Sequence, residues 1–151
     1  MSSKIRDLEI GILNKLKSEC PEIKTFKQYQ GDFDRESLTE IRSLTPFALI
    51  LYAGGVFRRR NQALTGTKRM TLFLGCKNLR GEIPSKMGAY ELLDLVTPIL
   101  DHVTISGYTL NLTDERMIYH DKNLSIFGQE YSFELEGRSA ARAAGTFIKV
   151  K

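Results

Sequence analysis

The chain has 151 residues, a formal net charge of +4 at pH 7 and a pI near 9.1. Its content of 42% apolar and 26% charged residues is that of an ordinary globular protein and excludes an intrinsically disordered chain. No apolar run reaches membrane-spanning length, so we expect no transmembrane helix, no secretory signal and no membrane partner. The two cysteines lack zinc or disulfide spacing, which favours a reducing, cytoplasmic setting.

The first elements are predicted to be a helix, a short strand and a second helix. Apolar residues at helical spacing behind Ser2-Ser3 predict an amphipathic helix over about residues 3–18. A short strand is expected between residues 23 and 30, and Gly31 ends it. A shorter helix over residues 35–43 follows, and Pro46 closes it because proline disfavours helix at the preceding residue.

Two apolar runs, residues 47–53 and 70–76, predict the strands of a long antiparallel hairpin. Gly54-Gly55 predicts a β-bulge or a bend, and residues 56–69 are predicted to form a loop that is too long for a tight turn. We predict that the cations of this loop bind a partner; the alternative is a solvated tip whose charges protect the sheet edge from aggregation. The predicted site consists of Arg58, Arg59, Arg60, Lys68 and Arg69.

A helix over residues 88–101, which contains Pro98, and strands over 108–112, 116–119 and 124–136 complete the predicted elements. This order predicts an α+β fold: a mostly antiparallel sheet with a long β-hairpin and helices packed on one face. Residues 1–137 are predicted to form a single domain. Residues 138–151 are small and basic, and we predict that they form a mobile C-terminal tail.

The sequence offers few candidates for catalysis. His102, His120, Cys20 and Cys76 have no neighbouring motif that would activate them, so we predict no catalytic residue, no cofactor and no metal. Residues 32–36 resemble the start of a calcium-binding loop, but a serine stands where that loop needs glycine. These acidic residues are better explained as caps of the following helix.

Four short segments in a fixed order resemble one family. They are Tyr29-Gln-Gly-Asp-Phe, Thr45-Pro-Phe-Ala-Leu-Ile-Leu-Tyr, Lys77-Asn-Leu-Arg-Gly and Gly88-Ala-Tyr-Glu-Leu-Leu-Asp-Leu-Val. With the opening helix, they resemble the Mu-like phage and prophage tail protein family, whose members are similar in fold to phage tail terminators. The resemblance extends to about Leu135.

This resemblance implies a subunit of a hexameric ring that caps the last tube or sheath disc, stops tail growth and offers a surface for joining the head. The implied partners are other copies of the chain, tail tube or sheath subunits and head-tail connector proteins, with transient passage of DNA through the lumen. The implied location is the bacterial host cytoplasm during assembly and then the virion tail. No cofactor is implied.

Two other classes of function remain as alternatives. The arginine-rich segment and the high pI favour a small basic nucleic-acid-binding module, although few aromatic residues such as Phe57 lie nearby to stack on bases. No helix-turn-helix or base-stacking motif is recognisable. An enzyme with an unrecognised site is the weaker alternative.

Overall fold

Residues 3–81 and 87–135, which are those that the computed structural model describes, form three α-helices and seven β-strands. The helices are α1 (Lys4–Glu19), α2 (Leu38–Ser43) and α3 (Ala89–Leu100). The strands are β1 (Thr25–Gln28), β2 (Phe47–Arg60), β3 (Ala63–Cys76), β4 (Thr104–Ile105), β5 (Tyr108–Thr109), β6 (Asn111–Asp121) and β7 (Leu124–Glu134). The predicted C-terminal tail, residues 138–151, lies outside the described residues.

Five of the strands form one sheet in the order β1-β2-β3-β7-β6, and β4 pairs separately with β5. Strand β1 runs parallel to β2, whereas the other neighbours in the large sheet are antiparallel. The predicted α+β class with a mostly antiparallel sheet is therefore confirmed. Within the described ranges, no helix is both long enough and apolar enough to cross a bilayer.

Helices α1 and α3 cover one face of the sheet, which we call the α1/α3 side. The hydroxyl of Ser3 accepts a hydrogen bond from the Arg6 amide at 3.3 Å, so the predicted cap does begin α1. Glu91 caps α3 by accepting a hydrogen bond from the Gly88 amide at 2.9 Å. The core under the two helices is apolar and includes Leu8, Ile12, Leu16, Ile50, Leu72, Leu92, Val96 and Phe133.

The other face of the sheet is covered in part by α2, and we call it the α2 side. Phe47 and Leu49 alternate with the core residues Ala48 and Ile50, so β2 is apolar on both faces at its start. Such a strand requires cover on both sides. The expectation that helices pack on one face therefore holds for α1 and α3, whereas α2 places Ile41 against the second face.

The predicted loop over residues 56–69 is wrong, because this segment continues the two strands. Strand β2 runs to Arg60, β3 begins at Ala63, and the two residues between them are Asn61 and Gln62. Both have positive φ, at 52° and 69°, which is the geometry of a tight hairpin turn that matches strand twist. The signal usually sought for such a turn is Asn-Gly or Asp-Gly, and Asn-Gln lacks the glycine.

The bulge predicted at Gly54-Gly55 is confirmed. Pairing of β2 with β3 passes from Tyr52 opposite Met70 directly to Gly54 opposite Arg69, and this leaves Ala53 as the extra residue. Gly54 has a φ of 97°, a conformation that favours glycine.

Asp121 connects α2 to the end of β6. Its carboxylate accepts hydrogen bonds from the Tyr119 hydroxyl at 2.6 Å and the Asn123 amide at 2.7 Å, and it also pairs with Arg42. These bonds, that from Tyr119 first, lower the pKa of Asp121 from 3.8 to about 2.

We therefore expect Asp121→Asn to make stability less sensitive to acid. A carboxyl whose pKa is depressed in the folded state stabilises it above its ordinary pKa, and this contribution disappears as the pH falls from 3.8 towards about 2. Urea unfolding midpoints of the wild type and the variant should differ above about pH 4 and converge near pH 2. Parallel curves over this range would contradict the prediction.

Candidate interaction surface

The part of the β2–β3 hairpin beyond the bulge, residues 54–69, extends past its neighbouring strands, and we call it the arm. Strand β1 pairs with β2 only as far as Ile50, and the carboxylate of Glu9 accepts a hydrogen bond from the Tyr52 amide at 3.1 Å. Strand β7 pairs with β3 as far as Thr67, and the Leu135 amide then donates to the Gly66 carbonyl at 2.9 Å. In the described part of the chain, no third strand pairs with the end of the arm.

All five predicted cations lie on the arm, but on two different sides. Lys68 lies two residues before the core residue Met70 on β3 and therefore shares its side of the sheet. The pairing register places Phe57 and Arg59 on this α1/α3 side as well. The α2 side of the arm carries Arg58, Arg60 and Arg69.

The cations differ in the contacts that they make. Arg69 Nη1 lies 3.7 Å from Glu130 Oε2, and Arg59 donates a hydrogen bond to the Gln62 carbonyl at 3.2 Å. Within residues 3–81 and 87–135, Arg58, Arg60 and Lys68 form no salt bridge. The three consecutive arginines are exposed, so their charges are available to a partner.

Phe57 adds an exposed aromatic ring, which is not among the five residues predicted from the sequence. Its side chain is 44% exposed and lies over Gly55 and Gly66. A Cβ atom at Gly66 would stand 2.6 Å from Phe57 Cδ1, so the glycine leaves the space that the ring occupies. Aromatic and arginine side chains are enriched at protein interfaces, and the arm exposes both. The pairing of a phenylalanine with a glycine across the two strands is the signal that could have identified this ring as part of the site.

A second exposed surface lies between α3 and the edge strand β6, and we call it the α3–β6 surface. Tyr90, Asp94 and Thr97 follow one another at helical spacing on α3, and Glu115 and Met117 face them from β6. The amide nitrogen of buried Gln129 lies between the two elements. It donates to Thr97 Oγ1 and to Glu115 Oε1, both at 2.9 Å.

Apolar and acidic groups lie side by side on the α3–β6 surface. Tyr90 is 39% exposed and Met117 46% exposed, and the Tyr90 ring contacts that of Phe127 with centroids 6.3 Å apart. The Arg80 guanidinium lies 5.4 Å from the Tyr90 centroid and is a cation near this otherwise acidic surface.

Both cysteines are buried. Burial is the main cause that raises the pKa of Cys20 to about 11 and that of Cys76 to about 12. Both thiols are therefore protonated at neutral pH, and a protonated thiol is a poor nucleophile.

We expect neither cysteine to react with a thiol reagent at pH 7 to 8 while the chain is folded, because the thiolate fraction is very small and access is blocked. Full labelling should appear on addition of denaturant. Mass spectrometry of the chain with and without urea measures this directly. Rapid labelling of either thiol without urea would contradict the burial described.

His120 contacts a hydroxyl group that the sequence did not indicate as its partner. Its Nδ1 atom lies 2.8 Å from Ser125 Oγ across the β6–β7 hairpin. Ser125 is fully buried, so a substrate cannot reach its hydroxyl. His102 is exposed, with its Nε2 atom 3.8 Å from Asp101. The described ranges contain no group of three or more histidine, cysteine or acidic residues that could hold a metal ion.

Comparison with known proteins is informative at the level of structure. No protein-family model matches the sequence, and no curated protein matches it. Among solved structures, a chain from the "Virion of native gene transfer agent (GTA) particle" resembles this one with a TM-score of 0.58 and 6% sequence identity. The match covers 89% of this chain and 98% of the virion chain. At this identity the likeness shows that the two chains share a fold.

Proposed function

We propose that this chain is a structural protein of a phage-related virion and, more specifically, a tail terminator. The observation that carries the proposal is the fold shared with almost the whole of a chain from a gene transfer agent virion. The order of the Tyr29, Thr45, Lys77 and Gly88 segments, which resembles the Mu-like tail protein family, supports the narrower role.

In this role the chain assembles with copies of itself into a ring, proposed to be hexameric, at the end of a tail tube or sheath. There the ring stops tail growth and presents a surface to head-tail connector proteins. The arm supports this role because an extended hairpin with exposed aromatic and basic side chains is suited to reach a neighbouring subunit.

A structural rather than a catalytic role agrees with the state of the most reactive side chains. Both thiols are buried and protonated, and the hydroxyl that contacts His120 is also buried. Binding of nucleic acid as the main function is less well supported. The five cations divide between two sides of the arm, and Phe57 is the single aromatic residue in its sequence.

Electron microscopy of the purified chain mixed with tail tubes tests the proposal. We expect ring-shaped density with sixfold symmetry at one end of each tube, and tubes that no longer elongate. Caps of a different symmetry would contradict the hexamer. Absence of any association with tubes would contradict the terminator role.

A further inference from the structure

We infer that the α1/α3 side of the arm of one copy docks on the α3–β6 surface of the next copy, with Phe57 and Arg59 against Tyr90, Asp94 and Met117. This inference rests on the proposed ring and names the two halves of its subunit contact. The occupant of the α3–β6 surface is thus a second copy of this chain.

The positions of the two surfaces favour a head-to-tail contact. The arm consists of residues 54–69 of the inner strands β2 and β3, whereas the α3–β6 surface consists of residues of α3 and of the edge strand β6. The surfaces therefore share no residue. A contact between two different patches leaves one of each free after every addition, and such contacts generate rings when the rotation closes.

Charge is complementary between the surfaces. Arg59 and Lys68 stand on the docking side of the arm, and Asp94, Asp101 and Glu115 stand on or beside the α3–β6 surface. The carboxylates of this surface also act on buried Tyr131. Burial is the main cause that raises the pKa of Tyr131, and the negative charges of Asp101 and Glu115 raise it further. Opposite charges of this kind guide association and fix its register.

Apolar groups are also complementary. Phe57, Tyr90 and Met117 are each between 39% and 46% exposed, although large apolar side chains are usually buried. On the arm, Phe57 lies between two cations, and on the α3–β6 surface Asp94 and Glu115 lie beside the apolar groups. An apolar centre with a charged rim is typical of an interface. Arg80 lies at the margin of the acidic surface and reduces its net negative charge.

Two single variants disable one half of the contact each. Arg59→Glu leaves the α3–β6 surface intact, and Asp94→Lys leaves the arm intact. Each should weaken self-association at least about tenfold, because like charges then face each other across the contact. Phe57→Ala serves as a second arm variant. It should weaken association roughly 30-fold, because the phenyl group is the central apolar anchor of the contact.

Mixing the two variants gives the decisive measurement. The wild-type chain should form closed oligomers in sedimentation velocity at concentrations up to about 1 mM. Arg59→Glu alone and Asp94→Lys alone should remain monomers. In an equimolar mixture, the arm of each variant meets the α3–β6 surface of the other variant with opposite charges, whereas contacts between copies of one variant still bring like charges together. It should therefore form closed oligomers in which the two variants alternate.

Matched charge reversals away from both surfaces serve as controls. Lys122→Glu in the β6–β7 turn and Glu36→Lys before α2 are exposed and should assemble as the wild type does. Thermal unfolding of every variant separates loss of contact from loss of fold.

Three outcomes would overturn the inference: a wild-type chain that stays monomeric, a mixture that forms no oligomers containing both variants, or single variants that assemble normally on their own. If the wild-type chain still caps tail tubes with sixfold rings under microscopy, the proposed function survives and only this docking geometry fails. If tubes are never capped, the proposed function fails independently of the mixing result.

Discussion

Replacing Arg58, Arg59 and Arg60 with serine is expected to abolish capping of tail tubes while the free subunit unfolds almost as before. The three side chains are exposed, and exposed substitutions usually change stability by no more than about 0.5 kcal/mol. Charges at the rim of a contact contribute little to folding but guide association and fix its register. Removal of three together therefore acts on the assembly. Electron microscopy of tail length, with thermal unfolding of the free subunit, measures both effects.

Salt should weaken wild-type capping in the same direction, because exposed charges are screened beyond about 8 Å at physiological ionic strength. A matched triple variant, Lys17→Ser with Lys77→Ser and Lys122→Ser, removes the same charge from exposed positions outside the arm and should cap normally. Normal capping by the triple arginine variant would leave the arm as solvated surface, and the assignment of these arginines to a contact would be withdrawn.

The largest effect on stability is expected from Leu72→Ala. Leu72 lies on β3, the middle strand of the five-stranded sheet, has no exposed surface and packs under α1 and α3. Truncation of a buried leucine to alanine destabilises proteins by about 2–5 kcal/mol, since contacts are lost and a cavity remains. For a chain of this size, the melting temperature should fall by roughly 10 °C. Thermal unfolding followed by circular dichroism measures the change.

Leu64→Ala is the matched control, because Leu64 lies on β3 within the arm and is only half buried. It should destabilise the chain by less than about 1 kcal/mol. Equal losses for the two variants would mean that the arm takes part in the same cooperative core as Leu72, contrary to the packing described here.

The parts of the fold that depend on local sequence could be predicted. Ser3 and the apolar residues behind it determine α1, Gly88 and Glu91 determine the start of α3, and Gly54 marks the bulge. In each case the decisive interactions lie within a few residues, and their chemistry can be recognised from residue type alone.

The parts that depend on distant pairing could not. Whether residues 56–69 form a loop or two strands is decided by the turn at Asn61-Gln62, which carries no glycine. The side occupied by α2 follows from its packing on Phe47 and Leu124, which lie on separate strands. The α3–β6 surface joins residues that are distant in sequence, so no spacing between residues along the chain could have predicted it.

The extra residue at Ala53 also determines how the arm can be redesigned. Without the bulge, every later residue of β2 would move one place along β3, and Phe57 with Arg59 would turn to the α2 side. Before Ala53 the even-numbered residues of β2 face the α1/α3 side, and after Ala53 the odd-numbered residues do. The side that a residue beyond the bulge faces must therefore be counted from the Asn61-Gln62 turn. A hairpin with a regular β2 strand would therefore keep Phe57 and Arg59 on the α1/α3 side only if it were one residue shorter between Tyr52 and Phe57.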